Sequence, residues 1–167
     1  MTNKFPSMNF EIETERLYLN MWEESDANWY RELIGERGIA KPSYEKVQKK
    51  ILSLRESSLE NGISLLTVRR KDEEDFIGYC GLIIGRSTLE EPEIAYELFQ
   101  RTHGNGYATE ASSAIMEAAI ATNRRRIWAT VRSWNIASFR VLEKLGFIRH
   151  HSICDENGEL VWNLRDL

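Results

Sequence analysis

The amino-acid sequence predicts an α+β fold, with a mixed sheet of about seven strands and four helices. Runs that alternate apolar and polar residues, typical of half-buried strands, are interspersed with runs whose apolar residues recur every three or four positions, typical of amphipathic helices. No repeat and no Pro- or Ser-rich linker divides the 167 residues. We therefore expect a single domain over residues 1–167.

The N-terminal part is predicted to form one strand and two helices. Residues 16–21 alternate in polarity, and either Ser25 or Asp26 is placed to cap the first helix. Ser43 is expected to cap the second helix, which ends at Asn61-Gly62 because these residues tolerate a left-handed conformation.

Three strands are predicted next. Residues 63–70 and 76–85 are rich in strand-forming residues and are joined by an acidic turn, which is typical of a hairpin. Residues 93–99 alternate in polarity, so Glu93 and Glu97 should lie on the same face of their strand.

The C-terminal part is predicted to contain two helices and three strands. Residues 107–122 and 135–145 have helical spacing, with a strand at residues 126–132 between them. Two strands follow. His150 and His151 are adjacent on the first of these, where successive side chains point to opposite faces, so we expect no metal pair and no metal site.

Composition narrows the classes of function. The formal net charge of −4 argues against sequence-independent binding to nucleic acid, which needs many Lys and Arg contacts to phosphate. Cys80 and Cys154 lack a CxxC spacing and predict two reduced, packed thiols, which favours the cytoplasm. The least polar run, residues 76–85, is much shorter than the roughly 20 residues needed to cross a bilayer, so no membrane partner is expected.

A glycine-containing turn with the sequence HGNGYA lies at residues 103–108, between a strand and a helix. Such a turn points free backbone N–H groups and a helix N-terminus at one place, which suits a phosphate, although an ordinary strand-to-helix turn would have the same pattern. The dinucleotide pattern GxGxxG is incomplete because Thr109 takes the place of its third glycine, and Gly-Lys-Ser/Thr is absent. Dinucleotide and nucleoside-triphosphate chemistry are thereby excluded.

Four segments carry a resemblance to a known family: ETERL at 13–17, EIAY at 93–96, HGNGYATEA at 103–111, and NIAS at 135–138 running into LEKLGF at 142–147. In this order they resemble the GNAT superfamily of acetyl-coenzyme A dependent N-acetyltransferases. Within it they resemble most the RimJ/RimL-like branch, which acetylates the N-termini of ribosomal proteins. The resemblance covers residues 13–147 and implies the GNAT fold, with a twisted, mostly antiparallel sheet.

The resemblance also implies acetyl-coenzyme A as cosubstrate and assigns residues to it. Those that would hold its pyrophosphate are His103, Gly104, Asn105, Gly106, Tyr107, Ala108 and Thr109. The main chain of Leu98 and Phe99 would pair with the pantetheine arm, and Asn135 would contact that arm from the far side. The family usually has Gln or Arg in place of His103, but its backbone N–H is retained, so we expect binding to survive.

Acyl transfer to an amine needs a proton acceptor, because an alkylamine has a pKa of roughly 10. Glu93 lies where related enzymes carry a strand carboxylate used as base, and Glu97 lies on the same face and is the second candidate. Many relatives use a Tyr to protonate the leaving thiolate where this chain has Leu142. The resembled branch places a serine three residues after the helix-capping Asn, which is Ser138 here.

The resemblance further implies that the first strand and the first two helices form the wall of the acceptor site. That region is rich in aromatic and acidic residues: Trp22, Glu23, Glu24, Asp26, Trp29, Tyr30 and Tyr44. Such a lining suits a cationic amine. The alternative is that the aromatic residues pack in the core and the acids lie on the surface.

The sequence thus predicts an N-acetyltransferase that moves acetyl to a primary amine, either a protein N-terminus or a small cationic amine, in a ternary complex. The alternative from another class is a non-catalytic module that senses acetyl-coenzyme A or docks a partner. The chain is expected to be a monomer or a homodimer.

Overall fold

The computed structural model describes residues 4–167 and shows one eight-stranded sheet with four helices. The strands are β1 (Glu11–Glu13), β2 (Leu17–Asn20), β3 (Leu65–Arg70), β4 (Phe76–Ile83), β5 (Glu93–Leu98), β6 (Arg126–Arg132), β7 (Ile148–Asp155) and β8 (Gly158–Asp166). The helices are α1 (Ala27–Gly35), α2 (Tyr44–Asn61), α3 (Tyr107–Ile120) and α4 (Ile136–Lys144). The predicted α+β fold is confirmed, with β1 added because three residues are too few to show a period.

The strand order is β1-β2-β3-β4-β5-β6-β8-β7. Neighbouring strands are antiparallel, except that β5 and β6 run parallel. The parallel pair has a single matched position, Glu93 opposite Trp128, whereas β6 and β8 match at seven positions. β5 and β6 therefore diverge after this position and leave a gap within the sheet.

The caps of α2 are as predicted, and those of α1 are not. The Ser43 hydroxyl accepts a hydrogen bond from the main chain of Lys46, and Gly62 ends α2 in the left-handed region with φ +71°. Asp26 precedes α1 without capping it through its side chain. Its carboxylate instead accepts from the Glu23 main-chain N–H at 2.9 Å, within a short 3-10 turn.

The sheet separates two apolar cores because successive strand residues point to opposite faces. Ile77 and Leu98 belong to a large cluster with residues of α3 and α4. Phe76 and Phe99 belong to a second cluster with residues of α1 and α2. The helices thus cover both faces, and the gap between β5 and β6 lies between them.

The prediction that His150 and His151 point in opposite directions is wrong. A bulge interrupts the pairing of β7 with β8 between Arg149 and His151. Because a bulge inserts one extra residue, both imidazoles lie on the same side, with their Nδ1 atoms 2.8 Å apart. Among residues 4–167 there is no group of three or more His, Cys, Asp or Glu residues that could hold a metal ion.

The two cysteines lie in different environments. Cys80 is fully buried beside Ser112, as expected for a packed thiol. Cys154 is exposed on β7, so the prediction that it packs is wrong, and both thiols are free. Within the described part of the chain, no helix has the length and apolar character needed to cross a membrane.

Candidate active site

The gap between β5 and β6 opens into a cavity of about 310 Å³, which we call the β5–β6 cleft. Its walls include residues from both strands, from the segment after β4 and from the first turns of α4. The lining of the cleft includes Arg86, Glu93, Tyr96, Thr130, Arg132, Trp134, Asn135, Ser138 and Leu142. The cleft therefore brings together three residues singled out from the sequence: Glu93, Asn135 and Ser138.

Main-chain groups of β5 face this cleft. The Phe99 N–H donates to the Ile77 carbonyl on the β4 side, whereas the Pro92 carbonyl accepts from Trp128 on the β6 side. Because main-chain groups alternate in direction along a strand, those of Tyr96 and Leu98 point toward β6, beyond the last matched position. The main chain of Tyr96 and the Leu98 N–H are available to an extended ligand, whereas the Leu98 carbonyl lies 3.0 Å from His103 Nε2. The main chain of Phe99, assigned from the sequence to the same role, is already paired with β4.

Glu93 is the acidic residue that lines the cleft, and its side chain is fixed. The residue is only 3% exposed. One carboxylate oxygen accepts from the Thr130 hydroxyl at 2.6 Å, and the other accepts from the Arg86 main-chain N–H. The two bonds fix the orientation of the carboxylate, which is held at the base of the cavity.

Glu97 lies outside the lining of the cleft. Its carboxylate accepts from Arg37, from Nε at 2.9 Å and from Nη2 at 2.5 Å. The bond to Glu97 raises the pKa of Arg37, and burial together with Glu97 raises the pKa of Tyr79. Glu97 thus forms an ion pair near α1, although it shares a face with Glu93.

The start of α4 forms one wall of the cleft. The Asn135 side chain accepts from the Ser138 main-chain N–H at 3.2 Å and caps the helix. The Tyr96 hydroxyl donates to the Ser138 carbonyl at 3.3 Å, and burial raises the pKa of Tyr96 to about 12. Within residues 4–167 the Ser138 hydroxyl has no hydrogen-bond partner, so it is free to donate into the cavity. Leu142 is buried and presents only an apolar side chain there.

The glycine turn leads from β5 into α3 and leaves its backbone open. Gly104 and Gly106 both have φ +79°, which a side chain would strain. A Cβ at Gly104 would meet nothing within 4 Å, so its backbone borders open space. Gly106 is the N-cap of α3 and offers no side-chain acceptor to the first-turn N–H groups of Tyr107, Ala108 and Thr109. These groups could hold an anion.

Two side chains of the turn stabilise its shape. His103 Nε2 lies 3.0 Å from the Leu98 carbonyl, which faces the cleft, so its ring sits where the turn meets β5. The Asn105 side chain donates to the carbonyls of Thr102 at 3.0 Å and His103 at 3.2 Å. Of the residues assigned to the pyrophosphate, these two also hold the loop through their side chains.

A second, outer groove of about 580 Å³ runs along α3. It is lined by Gly106 and Thr109 at the start of the helix, and by Lys144 of α4. It lies at the same helix N-terminus as the glycine turn. Lys144 supplies a positive charge to the groove, which Glu13, Glu110 and Glu117 also line, with Glu13 paired with Lys71 and Glu110 with Arg16.

The ETERL segment is explained by a contact that the sequence does not show. Glu110 of α3 accepts from the Thr14 hydroxyl at 2.6 Å, from the Arg16 main chain at 2.9 Å and from Arg16 Nε at 2.7 Å. Arg16 also donates to the Asn105 carbonyl at 2.9 Å and lies over the Tyr107 ring. The start of β2 thus fixes the first turn of α3 and the glycine turn together.

The aromatic and acidic residues expected to form an acceptor wall are largely occupied elsewhere. Trp22 and Tyr30 are buried, with ring centroids 4.6 Å apart, in the core beneath α1 and α2. Asp26 is buried and paired with Arg69. Only Trp29 among the large aromatic side chains of this group is exposed, at 44%. Trp22 and Tyr30 therefore pack in the core, which is the alternative to a place in the acceptor wall.

Three site residues were missed from the sequence: Gly85, Arg86 and Thr130. They surround the Glu93 carboxylate, yet Thr130 is 37 positions away along the chain. Gly85 has φ +57°, and a Cβ there would lie 2.8 Å from Glu93 Cδ. The contacts of Gly85 and Arg86 depend on how the segment after β4 folds back onto β5, and that of Thr130 depends on the placement of β6 beside β5. No local sequence pattern encodes either.

Taken together, the cleft and the glycine turn define a site for a ligand with a phosphate-bearing end and an extended arm that enters a split sheet. Residues 16–148 match the acetyltransferase (GNAT) domain family, so the chain belongs to the GNAT acetyltransferases. The predicted family and fold are confirmed.

Sequence relatives come from bacilli. The uncharacterized protein YkkB of Bacillus subtilis (strain 168) is 36% identical over 97 residues, which cover 54% of this chain and 53% of that protein. This match spans about half the length of the relative. The uncharacterized N-acetyltransferase p20 of Bacillus licheniformis is 26% identical over 147 residues, or 87% of this chain and 80% of that protein.

Solved structures of low identity share the fold. The ribosomal-protein-S5-alanine acetyltransferase of Vibrio fischeri has a TM-score of 0.79 at 21% identity, covering 95% of this chain and 97% of that chain. YncA of Salmonella typhimurium, solved with its cofactor acetyl-CoA, has a TM-score of 0.74 at 15% identity, covering 90% of this chain and 94% of that chain. At these identities the likeness concerns the fold alone.

Proposed function

We propose that this GNAT acetyltransferase moves an acetyl group from acetyl-coenzyme A to a primary amine, by direct attack within a ternary complex. The observation that carries the proposal is the Glu93 carboxylate, buried at the base of the β5–β6 cleft in the same cavity as Asn135 and Ser138. Neither thiol supports a covalent intermediate: burial raises the pKa of Cys80 to about 12, and Cys154 is exposed on β7.

Glu93 is the proposed base. An alkylamine has a pKa of roughly 10 and must lose a proton before or during attack. The hydrogen bonds from Thr130 and Arg86 hold the Glu93 carboxylate in place to accept that proton, directly or through one water. Glu97 is the weaker candidate because its carboxylate is paired with Arg37 and lies outside the cleft.

The residues present fit acetyl-coenzyme A, which when bound would supply the thioester carbonyl that the amine attacks. The N–H groups of the glycine turn and the first turn of α3 would hold the pyrophosphate. The cleft-facing main chain of Tyr96 and Leu98 would hold the extended arm, with Asn135 opposite. We place the nucleotide end in the outer groove, where Lys144 would face a phosphate.

Two groups of the cleft would assist the reacting atoms. A main-chain N–H of Tyr96 or Leu98 would stabilise the oxyanion that develops on the carbonyl. The unpaired Ser138 hydroxyl would donate to the leaving sulfur, a role that Leu142 cannot perform. A thiol of pKa near 8.5 leaves with modest help, so the contribution of Ser138 is smaller than that of Glu93.

The acceptor is proposed to be the N-terminus of a protein or a small amine, as in the RimJ/RimL-like branch that the sequence resembles. The fold shared with an enzyme named for the alanine of ribosomal protein S5 is consistent with the first of these. Two free thiols, one of them exposed, are compatible with the proposed location in the reducing cytoplasm.

The first test is calorimetric titration of the purified protein with acetyl-coenzyme A, with NADH as the control. We expect saturable binding of acetyl-coenzyme A and none of NADH. The absence of acetyl-coenzyme A binding by the folded protein would contradict the assignment of the glycine turn.

The second test compares Glu93→Gln with Glu97→Gln, two isosteric changes on one face of one strand. General-base catalysis contributes about 10²- to 10⁴-fold, so kcat of Glu93→Gln should fall at least about a hundredfold while acetyl-coenzyme A still binds. Glu97→Gln should lose far less of its kcat than Glu93→Gln, and the kcat of Ser138→Ala should lie between those of the two glutamine variants. Equal losses in the two glutamine variants would refute the assignment of the base. Tight binding without transfer to any amine would favour the sensor.

A further inference from the structure

Arg86 lies beside the proposed base and carries an uncompensated charge. Its main-chain N–H donates to Glu93, and its Nη1 donates to the Thr130 hydroxyl at 3.3 Å. Over residues 4–167 its guanidinium forms no ion pair. The side chain is exposed and lines the β5–β6 cleft, so it places a positive charge at the cavity.

The other arginine of the cleft is neutralised. Arg132 donates to both carboxylate oxygens of Asp155, at 2.8 and 3.0 Å. These bonds to Arg132 are the main reason that the pKa of Asp155 is lowered, with a small contribution from the more distant charge of Arg86. Asp155 therefore forms its ion pair with Arg132, and within residues 4–167 Arg86 faces the cavity without a carboxylate partner.

The charged groups left in the cleft are one anion and one cation. Glu93 supplies the negative charge at the buried base, and Arg86 supplies the positive charge at the exposed side. A simple cationic amine would satisfy Glu93 and leave Arg86 unpaired. Charge complementarity instead calls for a ligand that is cationic at one end and anionic at the other.

We infer that the acceptor is a primary amine that also carries a carboxylate, with Arg86 as the residue that selects it. This inference rests on the proposed function and deepens it by naming the substrate class. Of the residues expected to form an acidic, aromatic wall for a cationic amine, Trp22 and Tyr30 are buried in the core and Asp26 is buried and paired with Arg69. Two sources share this chemistry: a free amino acid, and a peptide whose residue after the N-terminus is acidic.

The test uses two acceptor pairs that differ only in the carboxylate. Alanine is compared with alaninamide, and the peptide amide Ala-Glu-Ala with Ala-Gln-Ala. Each is assayed with the unaltered chain, Arg86→Gln and Arg86→Lys. All variants keep the main-chain N–H that holds Glu93, and Arg140→Gln, an exposed α4 arginine outside the cleft lining, is the matched control.

A hydrogen bond to a charged group is worth roughly tenfold or more in affinity. Arg86→Gln should therefore lower kcat/KM about tenfold more for the preferred carboxylate-bearing acceptor than for its neutral partner, and any loss common to both acceptors reports the side-chain bond to Thr130 beside Glu93. Arg86→Lys should retain most of the preference. The pair in which the preference appears, amino acid or peptide, identifies the source.

A binding measurement separates this inference from the proposed function. Titration of the coenzyme A-loaded protein with the preferred acceptor should give saturable heat that weakens about tenfold in Arg86→Gln. Acetyl transfer that shows no preference for a carboxylate, or an equal loss on both members of a pair, overturns the role of Arg86 and leaves the acetyltransferase intact. Binding of acetyl-coenzyme A without transfer to, or binding of, any amine overturns both.

Discussion

Replacing Gly85 by alanine should disable Glu93 without removing any polar group. A Cβ at this position would lie 2.8 Å from Glu93 Cδ and closer still to Oε2. Since non-bonded carbon atoms rest about 3.5–4.0 Å apart, the carboxylate must move by roughly 0.7 Å or more. Misplacement of a reacting group by about 1 Å costs up to roughly a hundredfold in rate, so kcat should fall between about tenfold and a hundredfold.

The same substitution has a separate cost in stability. Gly85 has φ +57°, and the left-handed conformation costs an L-residue roughly 1–2 kcal/mol. At about 2–4 °C per kcal/mol for a domain of this size, Tm should fall by about 2–8 °C. The loss of rate must therefore be measured below the transition, on protein that is fully folded.

Gly38→Ala is the matched control. Gly38 also has a positive φ, +79°, but a Cβ there would meet nothing within 4 Å. The Gly38→Ala variant should lose about as much stability as Gly85→Ala and keep its kcat. Initial rates at saturating acetyl-coenzyme A and melting curves measure the two effects separately. If Gly85→Ala keeps kcat within about threefold, the position of the Glu93 carboxylate does not control the reaction, and the assignment of the base is wrong.

Three further predictions concern other parts of the chain. Glu110→Gln should lower the free energy of unfolding by about 2 kcal/mol at pH 7, since hydrogen bonds to charged groups contribute about 1.5–3 kcal/mol. Burial raises the pKa of Glu110, but bonds from Thr14 and Arg16 outweigh it and lower the pKa overall. Its stabilising effect is therefore full above pH 4.5 and disappears as pH falls through the lowered value. One thiol per native chain, Cys154, should react with a thiol reagent, and Cys80 only after unfolding. Gly104→Ala should weaken acetyl-coenzyme A binding because φ +79° is strained for alanine.

Each of these has a direct measurement. Urea unfolding of Glu110→Gln and the unaltered chain at a series of pH values below 7 should show the difference in unfolding free energy narrowing as the pH falls below 4.5, and a constant difference would contradict the ionic contribution. Rapid reaction of two thiols in the native protein would show that the site of Cys80 opens. Unchanged acetyl-coenzyme A affinity in Gly104→Ala would mean that the turn does not carry the pyrophosphate.

Local chemistry made most of the fold predictable. Ser43 and Gly62 mark the ends of α2 because capping depends on a few adjacent residues. The bulge at His150 and the three-residue strand β1 could not be predicted, because both depend on pairing with a distant strand.

The distinction between features set by adjacent residues and features set by distant segments also applies to the site. The glycine turn is a local pattern and is visible in the sequence. Strand periodicity does not distinguish Glu93 from Glu97, because both lie on one face of one strand, and only the resemblance to the family ranks Glu93 first. Their difference comes from Thr130 and Arg37, which distant segments bring to them. Tertiary partners, not strand periodicity, single out one carboxylate for the cleft.

The divergence of β5 from β6 has a consequence for how the protein holds together. Past Glu93 and Trp128, the central sheet lacks the ladder of hydrogen bonds that would join its two halves, and the β5 amides that face β6 have no strand partner there. A ligand whose extended arm forms hydrogen bonds with these amides would pair with β5 as a neighbouring strand does. Amide hydrogen exchange at Tyr96 and Leu98 should then be fast in the free protein and slow in the complex. The cohesion of the two halves would vary with the concentration of cosubstrate.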